Sequence, residues 1–301
     1  MNKVIAIVGP TGSKKSRIAL KLITDLKMNT ELISADAFQV YKDLNIGTNK
    51  PDHQQLQSVK HHFVDFLEIN EKWDIFKFQL QAKKILNNLW NKNQIPIVCG
   101  GSHLYVDALL KDYQLLKSPQ RQRNNKDLLS NEELYSNLLK IDAKEALKIG
   151  SNNRRRLIRA IEIFENTNQP KSTLDNQSVF KYETCLIVCL PPRELLYASL
   201  NLRTVKMYQN GWIQEIQQLF KKYPNLLELQ SIKAIGYYYL ANCLHTNAEP
   251  ELAKLQQLVR NLAKRQITWC KNRYCKIGFI YDETDVTWEQ LLAYVRNFLK
   301  D

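Results

Sequence analysis

The sequence predicts an α/β fold, in which a mainly parallel sheet is flanked by helices and a small helical insertion interrupts the core. Short apolar runs alternate with longer stretches of helical period, the first run passes through a glycine-opened loop into a helical pattern, and one polar segment breaks the alternation. The strand candidates are Val4–Val8, Glu31–Ser34, Ile95–Val98, Cys185–Leu190 and Ile277–Tyr281. The helical stretches include Ser16–Leu26, Ile75–Trp90, Arg154–Asn166, Arg193–Gln209 and Leu252–Arg273. Residues 1–112 and 151–301 are expected to form the core. Residues 113–150, rich in Asn, Gln, Lys and Arg with only a weak helical period over Glu132–Ala146, are expected to form the insertion.

The first strand candidate ends at Gly9, and Gly9, Pro10, Thr11, Gly12, Ser13, Lys14, Lys15 and Ser16 then follow in the order of a P-loop. Such a loop holds a pyrophosphate against backbone N–H donors and the first turn of a helix, so the core reads as P-loop NTPase-like. The usual pattern has glycine immediately before the lysine, where this chain has Lys14. Glycine there lets the backbone approach phosphate without a Cβ in the way. Lys14 keeps the N–H but adds a side chain that must point away from the ligand, while Gly12 supplies some of the lost freedom. The competing reading is an ordinary strand–turn–helix with Lys15 as a surface charge.

The second strand delivers Asp36 to its carboxyl end, where a carboxylate can bind Mg²⁺, take a proton or cap a helix. Gly47-Thr48 with Lys50-Pro51 reads as a turn facing a polyanion. The third strand runs into Gly100-Gly101 and Ser102, either a second small anion site or a helix cap. No Asp closes this strand, so the carboxylate of a mechanical ATPase is missing and ATP hydrolysis of that kind is not expected. Ligands of such sheets sit beyond the carboxyl ends of the strands, so the loop, Asp36 and Gly100–Ser102 should line one crevice.

Lys and Arg number 43 against 30 Asp and Glu, a net charge of +13 that points to a polyanionic partner, nucleic acid ahead of a membrane surface. Asn153 can cap a helix whose first turn carries Arg154, Arg155 and Arg156, with Arg159 one turn on. Arginines are unfavourable beside a helix N-terminus, so their crowding suggests an external anion, or else a solvated basic face. Lys264, Arg265, Gln266 and Trp269 fall within two helical turns, and basic groups with an aromatic suit RNA, although Trp269 by itself reads more readily as core. The cluster Tyr237–Leu240 reads as core.

A chain of 301 residues, 44% hydrophobic, can bury a core without disulfide or metal staples. No run approaches the ~20 apolar residues of a membrane span. The first apolar run is too short for a signal-peptide core, so a cytoplasmic location is expected. The six cysteines show no C-x-x-C spacing, and reduced, buried thiols are expected rather than a zinc site.

The motifs GPTGSKKS, SADAFQVYKDLNIGTNKP, VCGGSHLYVDALL, NNRRRLIRAIEIF, SIKAIGYYYL and LAKRQITW occur in that order over nearly the whole chain. Together they resemble the tRNA dimethylallyltransferase family, also called tRNA isopentenyltransferases. Without the added zinc-finger segment of eukaryotic members, the resemblance is to the bacterial type. It implies transfer of a dimethylallyl group to N6 of the adenosine 3′ of the anticodon, with release of diphosphate and with Mg²⁺ as cofactor. The loop, of a nucleotide- and ATP-binding kind, would then receive the diphosphate of dimethylallyl diphosphate instead of ATP. By the same resemblance Lys15 neutralises the leaving group, Ser16 helps to hold the metal, and Asp36 is the general base. Ser102, where the family has threonine, contacts diphosphate near the breaking bond, and Arg203 meets the same diphosphate. The implied tRNA contacts are Asp36, Ala37, Phe38, Gln39, Ser102, Arg155, Arg156, Arg159, Lys233, Gly236, Tyr237, Lys264, Arg265, Gln266, Trp269 and Lys271, with Arg121 or Arg123 from the insertion. The chain departs from the family pattern at Lys14, at Ala37 in place of a serine, and at Ser199 and Tyr238 in place of basic residues. The partners expected are tRNA and dimethylallyl diphosphate, with no membrane, and the protein is expected to be a monomer. Two other readings share part of the pattern: a tRNA-binding homologue impaired in catalysis, and a small-molecule P-loop kinase.

Overall fold

The first strand, β1 (Lys3–Val8), is buried from Val4 onward on both faces, as a central parallel strand must be. A computed structural model describes residues 2–115, 126, 128–174 and 179–300. In it β1 pairs in parallel with β4 (Ile97–Gly100) on one side and β5 (Glu183–Cys189) on the other, so that Val8 lies opposite both Gly100 and Val188. β2 (Leu32–Ser34) flanks β4, β3 (His61–His62) flanks β2, and β6 (Phe279–Tyr281) flanks β5. The order is β3-β2-β4-β1-β5-β6, parallel throughout. The expected strands all form, with their bounds shifted by one or two residues; β3, two histidines long, carries no apolar run by which it could be read.

Helix α1 (Lys15–Asp25) buries Ile18, Ala19, Leu22 and Ile23, and α12 (Trp288–Lys300) buries Leu291, Leu292 and Val295. Both stripes join Ile5, Ile7, Ile97 and Ile187 of the sheet in one cluster. Each fully buried aliphatic side chain contributes about 1.5–3 kcal/mol. Helix α3 (Ile75–Asn91) starts at Asp74, whose side chain accepts from Lys77 N at 2.8 Å. It packs on α4 (His103–Leu110), with Gln79 Nε2 donating to Ala108 O at 2.6 Å. Helices α8 (Arg193–Gln209) and α11 (Leu252–Arg273) meet through Leu196, Leu200, Val259 and Ala263. Shorter helices complete this unit: α2 (His53–Ser58), α9 (Trp212–Lys222) and α10 (Tyr237–His245).

The chain divides into two compact units, residues 1–110 with 182–301, and residues 111–181. The second is helical: α5 (Asn131–Ile141), α6 (Ala143–Ile149) and α7 (Arg154–Thr167). The weak period over Glu132–Ala146 resolves into two helices separated by Asp142, which caps α6 by accepting from Glu145 N at 3.1 Å. The unit runs past the expected edge at residue 150. The apolar stripe of α7, Leu157, Ile158 and Ile161, packs on Leu134 and Leu138 of α5, so α7 belongs with the insertion and not with the sheet.

Cys99, Cys185, Cys189, Cys243 and Cys270 are buried free thiols and Cys275 is a half-buried one. Among the described residues no helix is long and apolar enough to cross a membrane.

Candidate active site

At the carboxyl end of β1, Gly9 lies so close to β5 that a Cβ on it would stand 2.2 Å from Cys189 O. The loop that follows folds back on Pro10, whose carbonyl accepts from Ser13 Oγ at 2.9 Å and from Lys15 Nζ at 2.6 Å. Lys14, the N-cap of α1, takes the left-handed conformation (φ 56°, ψ 17°) that glycine would adopt without cost, against roughly 1–2 kcal/mol for another residue. Its side chain leaves the loop and meets Glu283 Oε2 at 2.5 Å. The side chain expected to point away from a ligand is held here by a specific acceptor. Burial pulls the Lys15 ammonium below the ordinary lysine range, opposed by the Cys99 and Cys189 sulfurs and the Asp36 carboxylate. A poorly hydrated cation of this kind gains most from an arriving anion.

A cleft of about 560 Å³ opens here, with Lys15, Asp36, Gln39, Ser102, Arg203 and Gln266 among its walls. Asp36 follows β2, and its Oδ1 accepts from Phe38 N at 2.9 Å and Gln39 N at 3.1 Å, so it closes a turn and does not cap a helix. Ser102 N donates to Ala35 O at 3.1 Å, and Ser102 Oγ accepts from Ala37 N at 3.1 Å. These two bonds clamp the ends of β2 and β4 together and set the spacing of the carboxylate and the hydroxyl. The clamp requires Gly100, where a Cβ would stand 2.1 Å from Ala35 O. Arg203 reaches over from α8, and its Nη2 donates to Thr11 Oγ1 at 2.7 Å. Burial lowers its pKa from the usual 12.5, yet a guanidinium stays charged. Gln266, on α11, accepts from Thr11 N at 2.8 Å and donates to Gly101 O at 2.9 Å. The crevice expected from strand ends is therefore present, with the loop, Asp36 and Ser102 all on its wall.

Other expected contact residues fall into three environments. Phe38 and Gln39 line the cleft beside a half-buried Ala37, and Ser16 lies on its wall in the first turn of α1. Lys264, Arg265 and Lys271 are exposed along α11; Trp269 is half-buried with the Arg273 guanidinium 4.5 Å over its ring. Lys233 is exposed, its ammonium 3.8 Å over the ring of Tyr238. In the helical unit Arg155 and Arg156 are exposed, and Arg159 lies 3.6 Å from Glu162. Arg154 instead binds Leu129 O at 2.6 Å and Lys126 O at 3.0 Å, which makes it a structural member of the arginine run. Arg121 and Arg123 lie outside the described residues.

Gly236 and Tyr237 do not present themselves to a partner. Gly236 is buried against the Trp212 ring, and Tyr237 is fully buried, accepting from Gly47 N at 3.0 Å and donating to Glu215 Oε1 at 2.5 Å. The reading of Tyr237–Leu240 as core describes Tyr237 better than the reading as an RNA contact. Glu215 Oε2 also accepts from Asn45 N at 3.0 Å and Ile46 N at 3.1 Å, so this carboxylate organises the Gly47 turn. Burial pushes the Glu215 carboxyl above the usual range.

Three supporting residues carried no signal in the sequence: Glu215, Glu283 and His103. His103 is buried with Nε2 3.3 Å from Gly9 O, and burial, followed by the Lys15 charge, lowers its pKa to about 4. Among the described residues no three His, Cys, Asp or Glu side chains converge on a metal position. Magnesium characteristically keeps water and phosphate ligands and needs only one or two protein oxygens. The Ser16 hydroxyl and the Asp36 carboxylate on the cleft wall fit that demand.

Residues 39–273 match the family model described as IPP transferase. The chain is 41% identical over 308 residues to a tRNA dimethylallyltransferase of Malacoplasma penetrans, covering 99% of this chain and 98% of that one. Among solved structures it is similar to a full-length tRNA isopentenylpyrophosphate transferase from Bacillus halodurans, with a TM-score of 0.73, 29% identity, and coverage of 100% and 96% of the two chains. It is also similar to a eukaryotic dimethylallyltransferase acting on tRNA, with a TM-score of 0.83 and 28% identity over 99% of this chain and 78% of that one. With a family match across most of its length and a relative aligned nearly end to end, the chain belongs to the IPP transferase family.

Proposed function

We propose that this protein transfers a dimethylallyl group from dimethylallyl diphosphate to N6 of the adenosine 3′ of a tRNA anticodon, releasing diphosphate. The observation that carries the reading is the convergence, in one cleft, of a phosphate-type loop with two cations, Lys15 and Arg203, and a carboxylate, Asp36. As the carbon–oxygen bond of the donor breaks, negative charge builds on the departing diphosphate, where Lys15 and Arg203 would stabilise it more strongly than in the ground state. An exocyclic amine is a weak nucleophile because its lone pair is conjugated with the ring. The new N6–carbon bond leaves a proton on nitrogen, which Asp36 would accept. Ser102, tied to Ala37 beside Asp36, would hold the diphosphate end near the breaking bond. Mg²⁺, when bound through Ser16, would supply further charge neutralisation on the diphosphate. The adenine has to leave its stack to enter such a cleft. Lys264, Arg265 and Lys271 along α11, and Arg155 and Arg156 on α7, supply exposed positive charge for the tRNA backbone.

The test combines purified protein, Mg²⁺, dimethylallyl diphosphate and unmodified tRNA that reads codons starting with U. The tRNA is then digested to nucleosides and analysed by mass. N6-isopentenyladenosine is the expected product. Its absence, with tRNA still tightly bound, would replace the enzyme with a binding protein that has lost its diphosphate site.

A further inference from the structure

Lys14 places a side chain where a P-loop ordinarily has none, on a backbone held in the left-handed conformation. Its ammonium nevertheless does not stand alone, because Glu283 Oε2 lies 2.5 Å away. Glu283 is held out from the sheet on a short turn after β6. There Asp282 Oδ1 accepts from Thr284 N at 3.0 Å, Asp285 N at 3.1 Å and Val286 N at 3.3 Å. β6 is itself registered against β5, with Tyr281 opposite Cys189, and it is Cys189 O that packs under Gly9. The turn carrying Glu283 and the loop carrying Lys14 thus follow β6 and β1, the two strands that flank β5 in one sheet.

Neither charge is neutral in its effect on an anion site. Lys14 lines the cleft, so a free ammonium there would add to the attraction of Lys15 and Arg203 for diphosphate. A free carboxylate at Glu283 would oppose it. Paired, the two cancel. We propose that Lys14 and Glu283 form a charge-neutral latch beside the diphosphate loop. In this latch Glu283 is a positioning residue that draws the Lys14 side chain out of the phosphate path and sets the anion affinity of the site. The proposal rests on the reading of this loop as a diphosphate site. It makes Lys14 and Glu283 one unit: a lysine at this place is tolerated because a carboxylate arrives from the β6 turn, and neither residue can be changed alone without altering the net charge that faces the ligand.

Charge arithmetic supplies the test. Relative to the wild type, Lys14→Gly leaves the loop one unit more negative, Glu283→Gln one unit more positive, and the double variant unchanged. Binding of inorganic diphosphate in the presence of Mg²⁺ is measured by calorimetry for all four proteins at two salt concentrations. Lys14→Gly should weaken binding about fivefold and Glu283→Gln should tighten it by a similar factor, with the double variant close to wild type. The single-variant effects should shrink at high salt. Thermal midpoints separate this from a purely structural role, because glycine relieves the left-handed strain and should not destabilise Lys14→Gly even as its affinity falls. Equal affinity in both single variants and wild type, or tighter binding by Lys14→Gly alone, would overturn the latch while leaving the diphosphate site intact. A wild-type protein that binds no diphosphate would overturn the site and the latch together.

Discussion

Arg203 on α8 donates through Nη2 to Thr11 Oγ1 at 2.7 Å, tying the phosphate loop to a residue 192 positions further along the chain. The guanidinium is half-buried, with its charge committed to the cleft. Arg203→Gln is expected to lower kcat/KM for dimethylallyl diphosphate about 100-fold while leaving tRNA affinity unchanged. Arg203→Lys should recover only part of the loss, because it restores the charge but not the fork. Steady-state kinetics with the donor varied decide it, and an unaltered kcat/KM would remove Arg203 from the site.

Asp36 holds a turn as well as facing the cleft, so its removal by alanine confounds two roles. Asp36→Asn keeps an oxygen for Phe38 N and Gln39 N but cannot take a proton. Turnover should fall by about 10²- to 10⁴-fold, with tRNA binding within about twofold of wild type. A single-turnover rate equal to wild type would assign Asp36 to structure alone.

Lys264 and Arg265 are exposed neighbours on α11, one residue short of Gln266, which binds the phosphate loop. Replacing both by alanine should weaken tRNA binding and reduce the slope of log affinity against log salt by about 1 to 2. Filter binding over a salt series gives the slope. An unchanged slope would place the RNA backbone elsewhere.

His103 supplies a pH signature. Its folded pKa is lowered to about 4 by burial, against an ordinary value of 6.5. Below pH 6.5 the unfolded chain therefore binds a proton that the folded chain refuses, and stability falls as pH drops toward 4. Between pH 7 and pH 5 this residue accounts for about 2 kcal/mol. Urea midpoints at the two pH values should converge in His103→Gln relative to wild type, the amide still being able to donate to Gly9 O. His61, which burial also lowers, is present in both proteins and cancels in the comparison. A wild-type slope in the variant would mean that His103 titrates normally.

Much of the frame was legible because its signals are local. β1, β2, β4 and β5 are apolar runs, and α8 and α11 have the bounds that their sequence period suggests. The loop and Asp36 were legible because both sit at strand ends, which a parallel sheet gathers on one side. What sequence could not reveal depends on long-range partners. The acceptor for Lys14 is Glu283, 269 residues away, in a turn that has no distinctive pattern. Glu215 looks like any helix-surface glutamate until Asn45, Ile46 and Tyr237 meet it. Tyr237 and Tyr238 are adjacent aromatics, and only the packing of α10 tells that the first is interior and the second exposed. The insertion edge was misplaced for a similar reason: the arginines of α7 drew attention to charge, while its apolar stripe decided its neighbours.

The pairing of residues 3–8 with residues 183–188 has a consequence for biosynthesis. A ribosome releases β1 first, and β4 can join it once residue 100 has emerged, but its other neighbour follows only after the whole helical insertion has been made. That insertion is one continuous stretch with its own apolar cluster and can close while β1 waits. During this interval a buried strand of apolar residues has one open edge, the condition in which a nascent chain most needs shielding from its neighbours. Glu283 leaves the ribosome later still. The phosphate loop is synthesised before Arg203, Gln266 and Glu283, the side chains that hold it.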